Sequence, residues 1–154
     1  MRLTQAATLT EDVDEQLRAV GERLLEAAQH AKAYGLAAAH LGEVAPVVVI
    51  SDDVELHTYR LLFNPRVTAV AEHAEKGEEG SVSLPGIRVE IDRPVWAEVS
   101  FLDRDSQAQT VRFDGFAARV ALHEIEQMRG IFFLERVSRL KRDMALKKAK
   151  KLAG

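Results

Sequence analysis

The sequence contains no cysteine, which excludes disulfide bonds, thiolate metal ligands and cysteine nucleophiles. It also lacks an apolar run long enough to span a bilayer, and its first residues do not combine a basic segment with a continuous apolar stretch as a signal peptide does. Internal repeats, low-complexity segments and linkers are absent as well. We therefore expect one cytoplasmic domain over residues 1–154.

The charge is distributed unevenly along the chain. The net charge is −3, yet residues 136–154 carry eight lysines or arginines against the single acidic residue Asp143. A basic tail of this kind either contacts nucleic acid or the ribosome, or is a solvated helix face. The sequence leaves both interpretations open.

The N-terminal half begins with apolar residues spaced three or four apart, which is typical of a helix with one buried face. They are Val13, Leu17, Val20, Leu24, Ala28 and Ala31. Thr8 and Glu11 offer a capping box at the start of this helix. The β-branched run 46–50 predicts a buried strand.

A turn or bulge is predicted at Asn64-Pro65, where it would join short strands at 59–63 and 67–70. The charged segment 72–79 is interpreted as a loop that leads into a strand after Gly80. The sequence therefore predicts strands on both sides of a polar connection.

The second half predicts an antiparallel meander and two helices. Residues 95–101 alternate in polarity, and 110–113 can pair with them across the turn at Asp105-Ser106. A helix at about 116–129 should end at Gly130. Further predictions are a short strand or extended connection at 131–134, and a last helix from Val137 with the apolar points Leu140, Met144 and Leu152. This order of elements indicates an α+β domain in which a helix packs against an antiparallel sheet.

The helix at 116–129 carries polar residues on an inward-facing stripe. His123 and Gln127 share one narrow arc with Phe116 and Val120, whereas Arg119, Glu126 and Arg129 point elsewhere. Buried polar groups require partners, so this stripe is either a hydrogen-bonded core or the wall of a polar pocket.

The segment His123-Glu124-Ile125-Glu126-Gln127 is one residue away from a metal-binding HExxH helix. In such helices two histidines one turn apart hold a metal, and the glutamate moves the proton of the metal-bound water. Gln127 stands at the second histidine position. Taken alone, the segment is a weak signal.

Three ordered motifs together resemble the peptide deformylase family over roughly residues 12 to 150. Gly35-Leu36-Ala37-Ala38-Ala39-His40 is similar to the family's GxGLAAxQ, with Ala33 at the place of its first glycine. Glu79-Gly80-Ser81-Val82-Ser83 is similar to EGCLS, and 123–127 to HExDH. The flanking sequence also resembles the family, at Phe63-Asn64-Pro65 and at 114–119.

The resemblance implies a peptide deformylase-like α+β fold, with antiparallel sheets packed around a central HExxH-type helix and with N-terminal and C-terminal helices. Family members use a divalent metal, commonly iron, to remove the formyl group from the initiator methionine of nascent bacterial chains. The motif-one glutamine and a backbone N–H of motif two stabilise the oxyanion.

The resemblance also assigns roles to residues of this chain. The three metal-ligand positions are Ser81, His123 and Gln127. The acid/base position is Glu124, and the oxyanion-glutamine position is His40. The groove backbone corresponds to Gly35, Leu36 and Val82.

Only His123 keeps the residue type that the family uses as a metal ligand. A serine hydroxyl and a glutamine amide are weak donors to iron, nickel or zinc. We therefore expect no metal cofactor, or a badly weakened site, with Ser81 and Gln127 hydrogen-bonded to His123 and to each other and with Glu124 paired to the backbone or to His40. The leading interpretation is a deformylase-like pseudoenzyme that retains a groove for peptide N-termini such as formyl-methionyl peptides.

Three alternatives stay open. The chain could be an active deformylase or related amide hydrolase with a divalent metal (Fe, Ni or Zn) at the His123 site, held by His40 and His123 with Glu124 or Gln127. It could act without metal, with Ser81 as the nucleophile and His123 or His40 as the base. It could also be a ribosome- or nascent-peptide-associated module, with contacts through Lys147, Lys148, Lys150 and Lys151.

Overall fold

The computed structural model describes residues 6–10, 12–53 and 58–153. Three α-helices are present in this part of the chain: α1 (Glu15–Ala31), α2 (Phe116–Met128) and α3 (Arg139–Ala153). The strands are β1 (Gly35–Ala37), β2 (Val47–Asp53), β3 (Thr58–Val70), β4 (Ala74–Ser81), β5 (Leu84–Pro94), β6 (Trp96–Leu102) and β7 (Ala108–Asp114). Short 3₁₀ helices lie at Ala38–Leu41 and Phe133–Arg136.

The strands form two antiparallel sheets. The larger has five strands in the order β1-β2-β3-β6-β7, and the smaller is the β4-β5 hairpin. Helix α2 packs against β1, β2 and β7 of the large sheet and also contacts β5, so it lies between the two sheets. The predicted α+β fold with a central helix is confirmed.

Helix α1 begins later than the sequence predicted. Its N-cap is Asp14, whose carboxylate accepts a hydrogen bond of 2.7 Å from the backbone N–H of Leu17. The predicted capping box is therefore wrong: Thr8 precedes the helix, and Glu11 lies outside the described residues. The predicted apolar stripe is buried except at its last member, Ala31, which is exposed.

The predicted strand pair around Asn64 is one continuous strand with a bulge. Strand β3 runs from Thr58 to Val70, and its pairing with β6 shifts register between Phe63 and Arg66. Asn64 has a φ of 50° inside this shift, a backbone geometry that asparagine tolerates better than most residues. The bulge therefore bends the strand without ending it.

The charged segment 72–79 was predicted to be a loop, and this prediction is wrong over most of its length. Ala74 to Ser81 forms β4, which pairs with β5 from Ala74↔Pro94 to Ser81↔Leu84. Most of its charged side chains are solvent-exposed, and only Glu79 is buried. A two-stranded ribbon tolerates such a polar sequence because one face stays in water.

The segment after α2 also differs from its prediction. Gly130 follows the end of the helix with a φ of 85°, as expected for a glycine stop. A short strand or an extended connection was predicted at 131–134, but residues 133–136 form a 3₁₀ helix, with Phe133 and Leu134 buried. These two side chains belong to a small apolar cluster with Ile87 and Ile91 of β5.

Helix α3 covers this small cluster, but the face that it buries is not the one predicted from its large apolar residues. Ala145 is buried against β5, and Ala149 packs beside it. The predicted apolar points Leu140, Met144 and Leu152 are instead mostly exposed. Among the described residues, no helix combines the length and apolar character that a membrane crossing requires.

Candidate active site

An open groove of about 350 Å³ lies between α2, the β4-β5 hairpin and the first motif. Its lining includes Gly35, His40, Ser81, Val82, His123 and Glu124. Two other predicted residues do not line it: Leu36 is buried in the apolar cluster beneath α1, and Gln127 is fully buried. The groove therefore brings together six of the eight predicted site residues.

Ser81 and His40 contact each other at one side of the groove. The Ser81 hydroxyl oxygen lies 3.5 Å from His40 Nε2 and accepts a 3.1 Å hydrogen bond from the backbone N–H of Ser83. His40 Nδ1 lies 3.0 Å from the carbonyl oxygen of Ala37 and 3.2 Å from its N–H. Ser81 thus pairs with His40, and not with His123 as the sequence predicted.

His123 is oriented by a carboxylate that the sequence analysis gave no role. Its Nδ1 lies 2.7 Å from Oε1 of Glu79, and both side chains are almost fully buried. Its ring also stacks on Phe133, with ring centroids 5.3 Å apart. A carboxylate on Nδ1 fixes the imidazole ring and leaves Nε2 as its second functional atom.

Glu79 is the centre of a buried charge cluster. Arg93 donates to both of its oxygens, from Nε at 2.8 Å and from a terminal nitrogen at 2.9 Å, and Arg119 donates at 2.9 Å. Burial of Glu79 would by itself raise its pKa, but the hydrogen bonds of His123 and Arg93 outweigh burial and lower the pKa to about 2. Glu79 is therefore ionised at every physiological pH.

The cluster continues from Arg93 towards the end of α2. Arg93 donates to Glu126 at 2.8 Å, and Glu126 also binds Arg136. Arg93 is 3% exposed, so its charge is almost completely removed from water and depends on these two carboxylates. The same contacts raise the pKa of Arg93 against the opposing effect of its burial.

The surroundings of His123 have opposing effects on its pKa. Burial would lower its pKa, but the negative charge of Glu124 and the hydrogen bond to Glu79 raise it above the usual value for histidine. The positive charge of Arg93 reduces this effect without reversing it. With these groups alone, the surroundings favour a protonated imidazole.

Glu124 is a buried carboxylate on the wall of the groove. The residue is 6% exposed, and among the described residues no group donates a hydrogen bond to its Oε1. The predicted pairing with the backbone or His40 is therefore absent at this atom. A buried acceptor that lines a groove can receive an N–H or O–H group of a bound molecule.

The donor atoms do not fit the metal centre that the family motifs imply. A hydroxyl at Ser81 and an amide at Gln127 replace stronger ligands, and the side chain of Gln127 lies outside the groove lining. Within the described ranges, no three His, Asp or Glu side chains come together in a group able to hold an ion. The alternative set of His40, His123 and Glu124 would thus have to rearrange before binding one.

Sequence reasoning missed Glu79, Arg93, Arg119 and Glu126 as members of the site. Glu79 belongs to the second motif and could have been singled out as its only carboxylate beside Ser81. Arg119 and Glu126 were placed away from the inward stripe of α2, yet their long side chains reach back to Gly77, Glu79 and Arg93. Arg93 has no local sequence signal because its partners come from other elements.

Two aromatic rings border the groove on the solvent side. Tyr34 and Phe116 pack edge to face with ring centroids 4.8 Å apart, and each side chain is more than half exposed. Together with Val82, which is also half-exposed, they give the groove an apolar rim above its polar floor. Exposed apolar residues around a concave site are typical of ligand-binding surfaces.

Comparisons with known proteins agree with this architecture. The family model for polypeptide deformylases matches residues 1–143. A peptide deformylase of Mesorhizobium japonicum is 36% identical over 98% of this chain and 87% of its own length. A peptide deformylase-like protein of Agrobacterium fabrum is 38% identical over 90% of this chain and 83% of its own length.

The fold agrees equally well. The crystal structure of a peptide deformylase from Synechococcus elongatus, in complex with actinonin, superposes with a TM-score of 0.89 at 32% identity. The match covers 97% of this chain and 83% of that one. The family match and the shared fold lead to one conclusion: the chain belongs to the polypeptide deformylase family.

Proposed function

We propose that this protein is a deformylase-family member that binds peptide N-termini in its groove but lacks efficient metal-dependent deformylation of N-formylmethionyl peptides. The observation that carries the proposal is the donor set. The chain has no cysteine, Ser81 is paired with His40, and Gln127 stands where the family motif has its second histidine. Two of the three metal-ligand positions therefore hold weak donors.

The surroundings of His123 support an exchange of ligands on an intact scaffold. Its Nδ1 is held by Glu79, which is the arrangement that orients metal-binding histidines in general. Restoring only the exchanged side chains should then restore the site, because the orienting carboxylate is already in place.

The experiment measures metal content by elemental analysis and formyl-methionyl peptide hydrolysis for the wild type and for the Ser81→Cys/Gln127→His double variant. We expect low occupancy and slow turnover in the wild type, and a gain of both in the double variant. The matched control is Ser83→Cys/Gln127→His, which places the thiol two residues away in the same hairpin. Stoichiometric iron, nickel or zinc and fast turnover in the wild type would overturn the proposal.

Peptide binding is tested separately from chemistry. The open groove, its apolar rim of Tyr34 and Phe116 and the unpaired Oε1 of Glu124 support a site for a short peptide with N–H donors. Calorimetric titration with formyl-Met-Ala-Ser should show binding that weakens in Tyr34→Ser and Phe116→Ser. Equal affinity of both variants and the wild type would count against this groove.

A second candidate function is supported by the exposed face of α3. Lys147, Lys148, Lys150 and Lys151 are all exposed, while the opposite face of the helix packs through Ala145. Such a face suits a ribosome contact made through RNA phosphates. Co-sedimentation with ribosomes should fall with rising salt and be lost when the four lysines become glutamines. Salt-independent sedimentation of both proteins would exclude it.

A further inference from the structure

We infer that Ser81 and His40 form a metal-independent nucleophilic pair that transfers small acyl groups, formyl and acetyl among them, from activated esters or amides to water. The inference goes beyond the proposed function, and it needs no metal ion. It depends on the hydroxyl of Ser81 and the imidazole of His40.

The first observation is the position of the Ser81 hydroxyl. Its oxygen already accepts the backbone N–H of Ser83 at 3.1 Å, which fixes it in the groove. Among the described residues, the acceptor available to its proton is Nε2 of His40 at 3.5 Å. A serine–base contact is often longer in a free enzyme and shortens when the substrate is bound.

The second observation concerns the tautomer of His40. A proton on Nδ1 would be donated to the Ala37 carbonyl at 3.0 Å, which leaves the lone pair of Nε2 directed towards Ser81. The Ala37 N–H at 3.2 Å favours the opposite tautomer. The carbonyl is nearer, and only the first tautomer gives the Ser81 proton an acceptor. The carbonyl then orients the base, as an aspartate does in a Ser-His-Asp triad.

The third observation concerns two residues that line the groove together with Ser81 and His40. Val82 follows Ser81 directly and lines the same groove, and the N–H after a nucleophilic serine is a common oxyanion donor. Glu124, 6% exposed and without a donor to Oε1, also lines the groove. It can accept a hydrogen bond from the substrate N–H or from the hydrolytic water.

The reaction balances with water as the second substrate. The Ser81 oxygen bonds to the acyl carbon while its proton passes to Nε2 of His40. The bond to the leaving alcohol or amine then breaks, and His40 returns that proton to it. Water attacks the resulting serine ester with His40 again as the base, which releases the free acid and regenerates the hydroxyl.

The test uses the full-length protein in excess chelator. Hydrolysis of p-nitrophenyl formate and p-nitrophenyl acetate is followed by absorbance, and covalent labelling by a fluorophosphonate is followed by intact-protein and peptide mass spectrometry. We expect chelator-resistant turnover and a single label on Ser81. Ser81→Ala should lose the label and most of the turnover, and His40→Asn should slow both by about 100-fold.

Two matched controls separate the pair from ordinary surface reactivity. Ser83→Ala removes the neighbouring hydroxyl but keeps the backbone N–H that binds Ser81, and His30→Ala removes an exposed histidine on α1. Both should retain label and turnover. Circular dichroism and the melting temperature establish that every variant is folded.

The results that overturn the inference differ from those that overturn the proposed function. Turnover and labelling that are equal in Ser81→Ala, His40→Asn and the wild type would overturn the pair. Label on another residue would do the same. Turnover abolished by chelator would refute metal independence and would also point to a working metal site, whereas stoichiometric metal with fast hydrolysis of formyl-methionyl peptides would overturn only the proposed function.

Discussion

At the scale of single residues, Glu79 has more influence on the site than the residues that the motifs emphasise. It orients His123, binds Arg93 through two hydrogen bonds and accepts a third donor from Arg119. Its side chain is only 4% exposed, so these contacts operate where water screens charges weakly. Any change at Glu79 should therefore act on stability and on the site together.

The contribution of Glu79 to the free energy of unfolding should be lost at low pH. Because the pKa of Glu79 falls from the model-compound value of 4.5 to about 2 on folding, its contribution is fully present above pH 4.5 and is lost as the pH falls through about 2. The full contribution is on the order of 3 kcal/mol. Urea unfolding of the wild type at pH 6 and pH 3 should show a larger drop than that of Glu79→Gln.

The control for this titration is Glu78→Gln, which removes an exposed carboxylate from the same strand. It should keep the pH dependence of the wild type. If Glu79→Gln and the wild type lose the same free energy between pH 6 and pH 3, the carboxylate does not contribute in this way.

A side chain at position 77 would meet the guanidinium group of Arg119, which Glu79 and the backbone carbonyl of Ile91 hold in place. A Cβ at this position would lie 2.7 Å from the guanidinium carbon of Arg119. Gly77→Ala should displace that side chain from Glu79 and Ile91 and lower the free energy of unfolding by about 1–3 kcal/mol. In Arg119→Ala the same change should cost much less, so a double-mutant cycle by urea unfolding should show strong coupling. Additive effects would contradict the steric explanation.

At the scale of the elements, the first motif and α2 approach each other through Gly35. A Cβ there would lie 2.7 Å from Val120 and 2.9 Å from the Glu124 side chain. Close packing of β1 on the helix therefore fixes one wall of the groove and the position of Glu124.

Gly35→Ala should move β1 away from α2 and lower the melting temperature by several degrees. Val120→Ala provides space for the new methyl group, so the double variant should recover part of the loss relative to Gly35→Ala. Differential scanning calorimetry of the four proteins tests this. No recovery in the double variant would place the strain elsewhere.

The elements also show what the sequence could and could not predict. Helices α1 and α2 and strand β6 were predictable because each has a clear apolar period in the chain, and β2 because it is a β-branched apolar run. Helix α3 was predicted, but its buried face was not, since Leu140, Met144 and Leu152 are mostly exposed. Strand β4 was missed because its residues are mostly charged and its ribbon has one solvated face. A turn or bulge was predicted at Asn64, and the bulge is present; the continuation of β3 through it was not predictable, because pairing with β6 on both sides is a long-range property.

The candidate site, too, was only partly predictable from the sequence. The motifs predicted which residues would lie near the groove, and His40, Ser81, His123 and Glu124 do line it. Their partners were not predictable, since His123 pairs with a residue of β4 and Ser81 with one of the 3₁₀ helix after β1. Spacing along the chain carries no information on such contacts until the sheets and α2 are assembled.

At the scale of the whole molecule, three apolar clusters of the described residues lie between different pairs of layers. One lies between α2 and the large sheet, one beneath α1, and one joins the β4-β5 hairpin to α3. The third is the smallest and is closed by Ala145 of α3. The hairpin that carries Glu79 and Ser81 therefore depends on α3 for its apolar cover.

Ala145→Asp should detach α3, because a carboxylate would be buried against Ile87 and Ile91 without a partner. The expected cost is about 2 kcal/mol, with faster proteolysis after residue 136. The matched control Met144→Asp changes an adjacent exposed position on the same helix and should have little effect. Limited proteolysis and thermal unfolding compare them; equal sensitivity of the two variants would show that the helix is not anchored through Ala145.

Arg93 also limits the paths by which this chain can evolve. Its charge is shared by a carboxylate of the hairpin and one of α2, so losing any one of the three leaves an unbalanced ion in the interior. Uncharged side chains that line the groove, such as Ser81 and Val82, can be exchanged one at a time without such a penalty. In evolution, this buried ionic framework should thus change more slowly than the side chains that line the groove.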